Sequence, residues 1–246
     1  MKYTIAEESL ANLSSYWDDS VLHPNEASLF VSPHWLETWW QVFGVGSELF
    51  LRVVRQDDSI IGIVPLMSRG KTVSFIGSDN VCDYLDFMVV PGMEEAFFVT
   101  LLHYLKEKGI NQLDLKHIRP DSTVSTHLLN ISKSRGYEVN YDREEISVEM
   151  ELPVTWDSYL ALLTTKQRHE VRRKLRRLSE AGRVEYRFIE DSAAIPGAMD
   201  TFFKMFTESR EDKALFMTEQ IESFFRLLAA LLVVPISMGL NFTSPG

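Results

Sequence analysis

Cysteine, long apolar runs and positive charge are all scarce in this chain. Its single cysteine, Cys82, can form no internal disulfide, which suits a reducing compartment. His34, His103, His117 and His127 stand at spacings that suit no metal, and His169 lies inside a run of cations. No Cys/His cluster therefore points to a metal site. The longest apolar stretch, LLAALLVVPISMGL, contains Pro235 and falls short of the ~20 residues needed to span a bilayer. Residues 1–30 lack the basic start, apolar core and small-residue cleavage site of a signal peptide. The expectation is a soluble cytoplasmic protein with no membrane span and no metal.

What is present is enough for a core. Of 246 residues, 45% are apolar and 24% charged, which excludes a disordered chain and fits one large domain or two small ones. The formal net charge is -10. Against that background, TTKQRHEVRRKLRRLSEAG (164–182) places seven Lys or Arg and one Glu between Lys166 and Arg177, leaving 18 basic and 34 acidic residues elsewhere. On a helix, Val171, Leu175 and Leu178 fall on one narrow side at i, i+4, i+7. Arg168, Arg172 and Arg176 occupy one flank and Lys166, Arg173 and Arg177 the other. The stripe is expected to pack, leaving the cations to solvent or an anion.

The first 152 residues give a readable order of elements. KYTI is a short strand, and AEESLANLSSYWDDSV puts Leu10, Leu13 and Trp17 at helical spacing. In SPHWLETWWQVFG, Ser32 can cap, Pro33 fits the first helical position, Leu36, Trp39, Trp40 and Phe43 form one face, and Gly44 ends the helix. ELFLRVVR and IIGIVPL flank QDDS as a hairpin, and TVSFIG and YLDFMVV continue the sheet. MEEAFFVTLLHYLKEKG is a helix with acids in its first turn and lysines in its last. The strand NQLDLKHI, the helix DSTVSTHLLNISKSRG and the alternating strand ISVEMEL follow. Beyond the basic helix, RVEYRFIE reads as a strand, and AMDTFFKMFTESR and TEQIESFFRLLAALL as helices with Phe-rich faces.

This order resembles the GNAT acyltransferase fold. The fold class expected is α/β with a mixed sheet: one complete GNAT-like copy over 1–152, a basic connecting helix over 153–182, and an incomplete second copy over 183–246. FVSPHWLETWWQVFG, IIGIVPL, DYLDF, LPVTWDSYLALL and FTESREDKALFMTEQIESFFRLLA together resemble the BioF2-like (CelD-like) acetyltransferases, a tandem-GNAT family related to the FemAB peptidyltransferases. The resemblance implies transfer of an acyl group from acetyl-CoA or another acyl-CoA to an amine or hydroxyl of a small-molecule or cell-envelope precursor acceptor. It also implies a general base and a stabilised oxyanion.

A GNAT enzyme holds the cofactor pyrophosphate where a strand opens into a helix. The corresponding stretch here is MVVPGMEEAFF: Pro91 has no N–H, and Glu94 and Glu95 put negative charge where phosphate would lie. The first copy is therefore expected not to bind CoA, and the CoA-binding part to be lacking. By the resemblance, Asp83 or Asp86 of DYLDF serves as acceptor ligand or base and Tyr84 as a wall; the other reading is an ordinary loop entering a strand, in which alternation keeps the two carboxylates apart.

The basic helix has three readings. It is a solvated helix paired with the protein's own carboxylates, a binder of an anionic acceptor or cofactor phosphates through Arg168, Arg172 and Arg173, or a polyanion site for tRNA or a partner protein. The last is the alternative function, a non-catalytic binding module. The net charge and the lack of aromatics between Lys166 and Arg177 count against nucleic acid. Arg210, in ESREDK, is a further candidate for an anionic substrate. The uncharged stretch from Leu227 onward is expected to leave Phe202, Phe206, Phe224 and Phe225 poorly covered and to favour self-association.

Overall fold

The computed structural model describes residues 2–17, 28–77, 80–143, 146, 148–182, 188–189 and 191–232. The chain has a mixed α/β fold with a mixed sheet. It divides into two compact units, one built from 1–139 together with 190–246, the other from 140–189.

In the larger unit, β1 (Tyr3–Glu7), β2 (Glu48–Gln56), β3 (Ser59–Arg69) and β4 (Thr72–Phe75) run antiparallel in sequence order, and β6 (Gln112–Asp114) joins β4 in parallel. The two-residue strand β5 (Met88–Val89) pairs with β3 at Gly62 and Ile63. Gly62 is needed there. A side chain at this position would meet the Phe97 ring at 2.6 Å and the Met88 carbonyl at 2.7 Å. The β2–β3 hairpin turns through Asp57, one of two non-glycine residues with positive φ among those described.

The helices follow their sequence signals closely. In α2 (Pro33–Phe43), the Ser32 hydroxyl accepts the Trp35 N–H and the Gly44 N–H donates to the Trp40 carbonyl. Trp35, Leu36 and Trp39 are buried, whereas Trp40 and Phe43 are only half covered. The acids Glu94 and Glu95 open α3 (Glu94–Glu107), whose Phe97, Phe98, Leu101 and Leu105 enter the core. α1 (Leu10–Trp17) packs on α2, and a π-helical turn (Val124–Leu128) runs into α4 (Leu129–Ser134), which packs on α3.

Three expected strands differ. Residues 84–87 are irregular because their polar groups bond elsewhere: the Leu85 N–H goes to the His117 carbonyl, and the Asp86 carboxylate takes the Phe87 N–H. Strict alternation fails with it, since Leu85 is buried while Asp83 is exposed. NQLDLKHI is a strand only at β6, and the left-handed His117 (φ 58°) bends the chain away beyond it. ISVEMEL forms no strand among its described residues. Val148, Met150 and Leu152 are exposed, because alternation sets which face is apolar but does not supply a neighbouring edge. RVEYRFIE lies mostly outside the described residues, and Phe188 and Ile189 are in no strand.

The larger unit also holds α7 (Ile195–Ser209), α8 (Glu211–Phe216) and α9 (Glu219–Leu232). α9 lies along α2, which corrects the expectation of uncovered phenylalanines. Phe224 is fully buried, 5.1 Å from the Trp35 ring and 5.5 Å from that of Phe43, and Ile221 and Leu228 are buried beside it. Phe206 and Phe225 are half covered and Phe202 is exposed. Residues 233–246, most of the stretch expected to associate, lie outside the described residues. The smaller unit contains α5 (Trp156–Leu162) and the basic helix α6 (Thr165–Ala181).

If α9 is part of the core, Phe224→Ala should cost about 3–5 kcal/mol, the usual price of emptying a buried phenylalanine site. Urea unfolding measures it. A loss under about 1 kcal/mol would detach α9 from the sheet unit.

Candidate functional site

Two regions carry the residues singled out from the sequence. The first is the loop before β5. Cys82 is buried and its sulfur accepts the indole N–H of Trp35 at 3.4 Å, which fixes the loop to α2. Asp83 is exposed. Tyr84 is half-buried, its ring edge-on to Phe30 and under the Arg119 guanidinium at 5.0 Å; its carbonyl accepts the Ser28 hydroxyl. Arg119 also forks onto the Asp121 carboxylate at 2.9 and 3.1 Å. That contact holds the Asp121 carboxyl below its usual range.

Asp86 points inward. Its carboxylate accepts the Thr123 hydroxyl at 2.6 Å, the Thr123 N–H at 2.7 Å and its neighbour Phe87 N–H at 2.9 Å. It thereby ties the loop to the start of the π-helical turn. Burial pushes the Asp86 carboxyl above its ordinary value, against the lowering effect of the bonds from Thr123, Phe87 and Val124. Among the described residues, no hydrogen bond or ion pair joins Asp83 to Asp86. The loop therefore presents Asp83, Tyr84 and Arg119 outward and uses Asp86 as an anchor. The left-handed His117 and the π-helical turn bracket it, two irregularities that concentrate at working sites. Arg119 and Thr123 were not singled out from the sequence, and His117 was considered only as a metal ligand and set aside. Only the run Pro120-Asp-Ser-Thr, rich in capping residues, signals them.

The second region is the basic helix α6. Its first turn closes with a capping box: the Thr164 hydroxyl takes the Gln167 N–H and the Gln167 side chain takes the Thr164 N–H. Arg168 folds back onto α5, donating to the Leu160 carbonyl at 2.7 Å, that of Leu163 at 3.0 Å and that of Ala161 at 3.3 Å. Those carbonyls end a helix and have few other donors, so Arg168 sets the corner between α5 and α6. Arg173 forks onto Glu170 at 2.6 and 2.8 Å and draws its carboxyl below the usual range; Lys174 and Arg176 make longer pairs with Glu170 and Glu180. Among the described residues, the side chains of Lys166, Arg172 and Arg177 make no hydrogen bond or ion pair. The expectation that the apolar stripe packs is corrected: Leu175 is 45% and Leu178 52% exposed, and no residue of α6 is buried.

Elsewhere, Arg210 stands extended between α7 and α8 and forks onto Asp212. ESREDK is thus a helix break followed by a new helix. Arg226 of α9 bonds Glu222 and Asp200 and covers the Phe203 ring. It edges a small cleft of about 220 Å³ walled by Ile195, Pro196, Met199 and Ala230. Among the described residues, no cluster of three His, Cys, Asp or Glu side chains is arranged to hold a metal, and no helix is long and apolar enough to cross a membrane.

The turn from β5 into α3 is poorly suited to phosphate. Val90-Pro91-Gly92-Met93 has the form of a type II turn: Gly92 takes φ 85°, and the Met93 N–H donates to the Val90 carbonyl at 3.0 Å. Pro91 offers no donor, the Met93 donor is used within the turn, and Glu94 and Glu95 already complement the helix dipole.

Residues 165–235 match the family model of an acetyltransferase (GNAT) domain. The match begins at α6 and takes in α7, α8 and α9, so it crosses from the smaller unit into the larger one. No curated protein and no solved structure matches the chain. GNAT domains use an acyl-CoA, and the residues described do not fit one. The β5–α3 turn is a poor cradle for a pyrophosphate, and the helices α6, α7, α8 and α9 make up most of the described part of the matched segment.

The Asp86 anchor has a measurable consequence. Asp86→Ala leaves the Thr123 N–H without its acceptor and should cost about 1–3 kcal/mol. Because the folded carboxyl titrates above its unfolded value, Asp86 contributes most below the ordinary carboxylate range, and its contribution falls as pH rises through the raised value. Urea unfolding of both proteins from about pH 3.5 upward should show the gap narrowing with pH; a gap that widens would contradict the assignment.

Proposed function

We propose that the chain serves a GNAT acyltransferase of the BioF2-like tandem type, moving an acyl group from CoA to an amine or hydroxyl, and that its sheet unit lies on the acceptor side of that reaction. The observation that carries the proposal is the match of residues 165–235 to an acetyltransferase domain, which supports acyl transfer in general. The closed type II turn at Val90–Met93 argues against the sheet unit as the cofactor holder. What that unit offers instead is the loop with Asp83, Tyr84 and Arg119 facing outward, held by Asp86, Cys82 and His117.

In this arrangement Asp83 receives the ammonium or hydroxyl of the acceptor. The Tyr84 ring forms its wall, and Arg119 above that ring faces its anionic end. Asp86 positions the loop and takes no proton from the acceptor, since both its oxygens accept donors of the fold. Arg168 likewise holds the α5–α6 corner, Arg172 and Arg173 lie exposed on α6, and Arg210 remains at the surface of the larger unit.

Thermal shift against acetyl-CoA and against a panel of amino acids, dipeptides and amino sugars tests the assignment. At about 100 times its Kd a ligand adds about 2.7 kcal/mol of stability, a shift of several degrees. A primary amine from the panel should raise Tm, an effect lost in Tyr84→Ala, and acetyl-CoA should not. Saturable one-to-one acetyl-CoA binding in the micromolar range, with no response to amines, would overturn the acceptor-side placement.

A further inference from the structure

The apolar stripe of α6 lies open between cations, and the charges beside it indicate what covers it. We propose that the α5–α6 arm docks on an anionic lipid surface, a role independent of acyl transfer. Val171, Leu175 and Leu178 form the contact line. Arg172 and Arg176 stand on one side of it and Lys174 on the other, placed to lay their stems along the apolar boundary and carry their charges to headgroups. The preceding helix also exposes apolar side chains, Trp156 at 53% and stacked on Tyr159 at 5.2 Å, and Leu162 at 62%. Tryptophan is the side chain that settles at headgroup level. The hydrogen bonds from Arg168 to the end of α5 hold the two helices as one corner.

Charge decides between an anionic surface and a neutral one. The helix is strongly cationic and the chain as a whole carries -10. Against the seven Lys or Arg of α6 stand only Glu170 and Glu180 on the same helix, and charges more than about 10 Å apart in solvent are largely screened at 0.1 M salt. The pairs with Glu170 and Glu180 are exposed and exchange readily for headgroup contacts. RNA fits less well. A phosphate backbone makes no use of Leu175 and Leu178, and no aromatic interleaves the cations. With no described helix able to span a bilayer, the association is peripheral.

The test uses the full chain and vesicles of phosphatidylcholine, alone or with about 30% phosphatidylglycerol, in a sedimentation assay. The protein should partition only onto the anionic vesicles, less so as salt rises. The triple change Arg172→Ala, Lys174→Ala, Arg176→Ala should lower partitioning on the order of 100-fold, at roughly fivefold per cation. Leu175→Ser with Leu178→Ser should lower it about tenfold at unchanged charge. All five positions are on an exposed helix, and far-ultraviolet circular dichroism confirms that each variant stays folded. No partitioning onto anionic vesicles would overturn the proposal. So would loss with the cation changes but not the leucine changes, the pattern of a polyanion site, which tRNA binding would then display.

Discussion

Phe224 has no contact with water because the Trp35 and Phe43 rings of α2 enclose it, and much of the molecule hangs on that enclosure. Large aromatic rings bury more area than any other side chains, and at centroid separations near 5 Å they add a geometric preference to it. Trp35 then works in two directions. Its ring meets Phe224 and Phe30, while its indole N–H reaches the Cys82 sulfur. The C-terminal helix and the candidate loop at 82–86 thus share one side chain, and α2 is locked in turn by the Ser32 cap. A helix far along the sequence becomes part of the wall that positions Asp83 and Tyr84.

The arginines divide into those that hold the fold and those that face outward. Arg52 is buried on β2, where it donates to the Tyr104 hydroxyl, the Leu51 carbonyl and Glu7 and lies over the Phe50 ring. Each of its three guanidinium nitrogens has a partner, as a buried cation requires. Arg168 does the same work at a helix end. Only after these are set aside does the concentration of cations on α6 become informative, and then its value lies in the open leucines beside the charges rather than in their number.

The periodic elements were legible in the sequence. The Ser32-Pro33 start and Gly44 stop of α2, the β2–β3 hairpin and the acidic opening of α3 all act within a few residues, so local chemistry suffices to place them. Features that depend on distant partners were not legible. Asp86 becomes an anchor through Thr123, 37 residues later, and His117 turns left-handed three residues after β6 ends. ISVEMEL has a strand's pattern but forms no strand among its described residues, and the α6 stripe has a packing pattern without a packed face. The closed cofactor turn is the instructive middle case: Pro91, Glu94 and Glu95 argued against phosphate from the sequence, and the Met93 to Val90 hydrogen bond supplies the geometry.

The central claim is that α9, within the segment that matches an acetyltransferase domain, is part of the same cooperative core as the sheet. Native-state hydrogen exchange measures this directly, because elements that unfold together share one opening free energy. The amides of Phe224 to Leu228 should open with the same free energy, and the same denaturant dependence, as those of Val53, Val54 and Val64 on β2 and β3. Exchange of the α9 amides at a much lower opening free energy, while the sheet remains protected, would contradict the account.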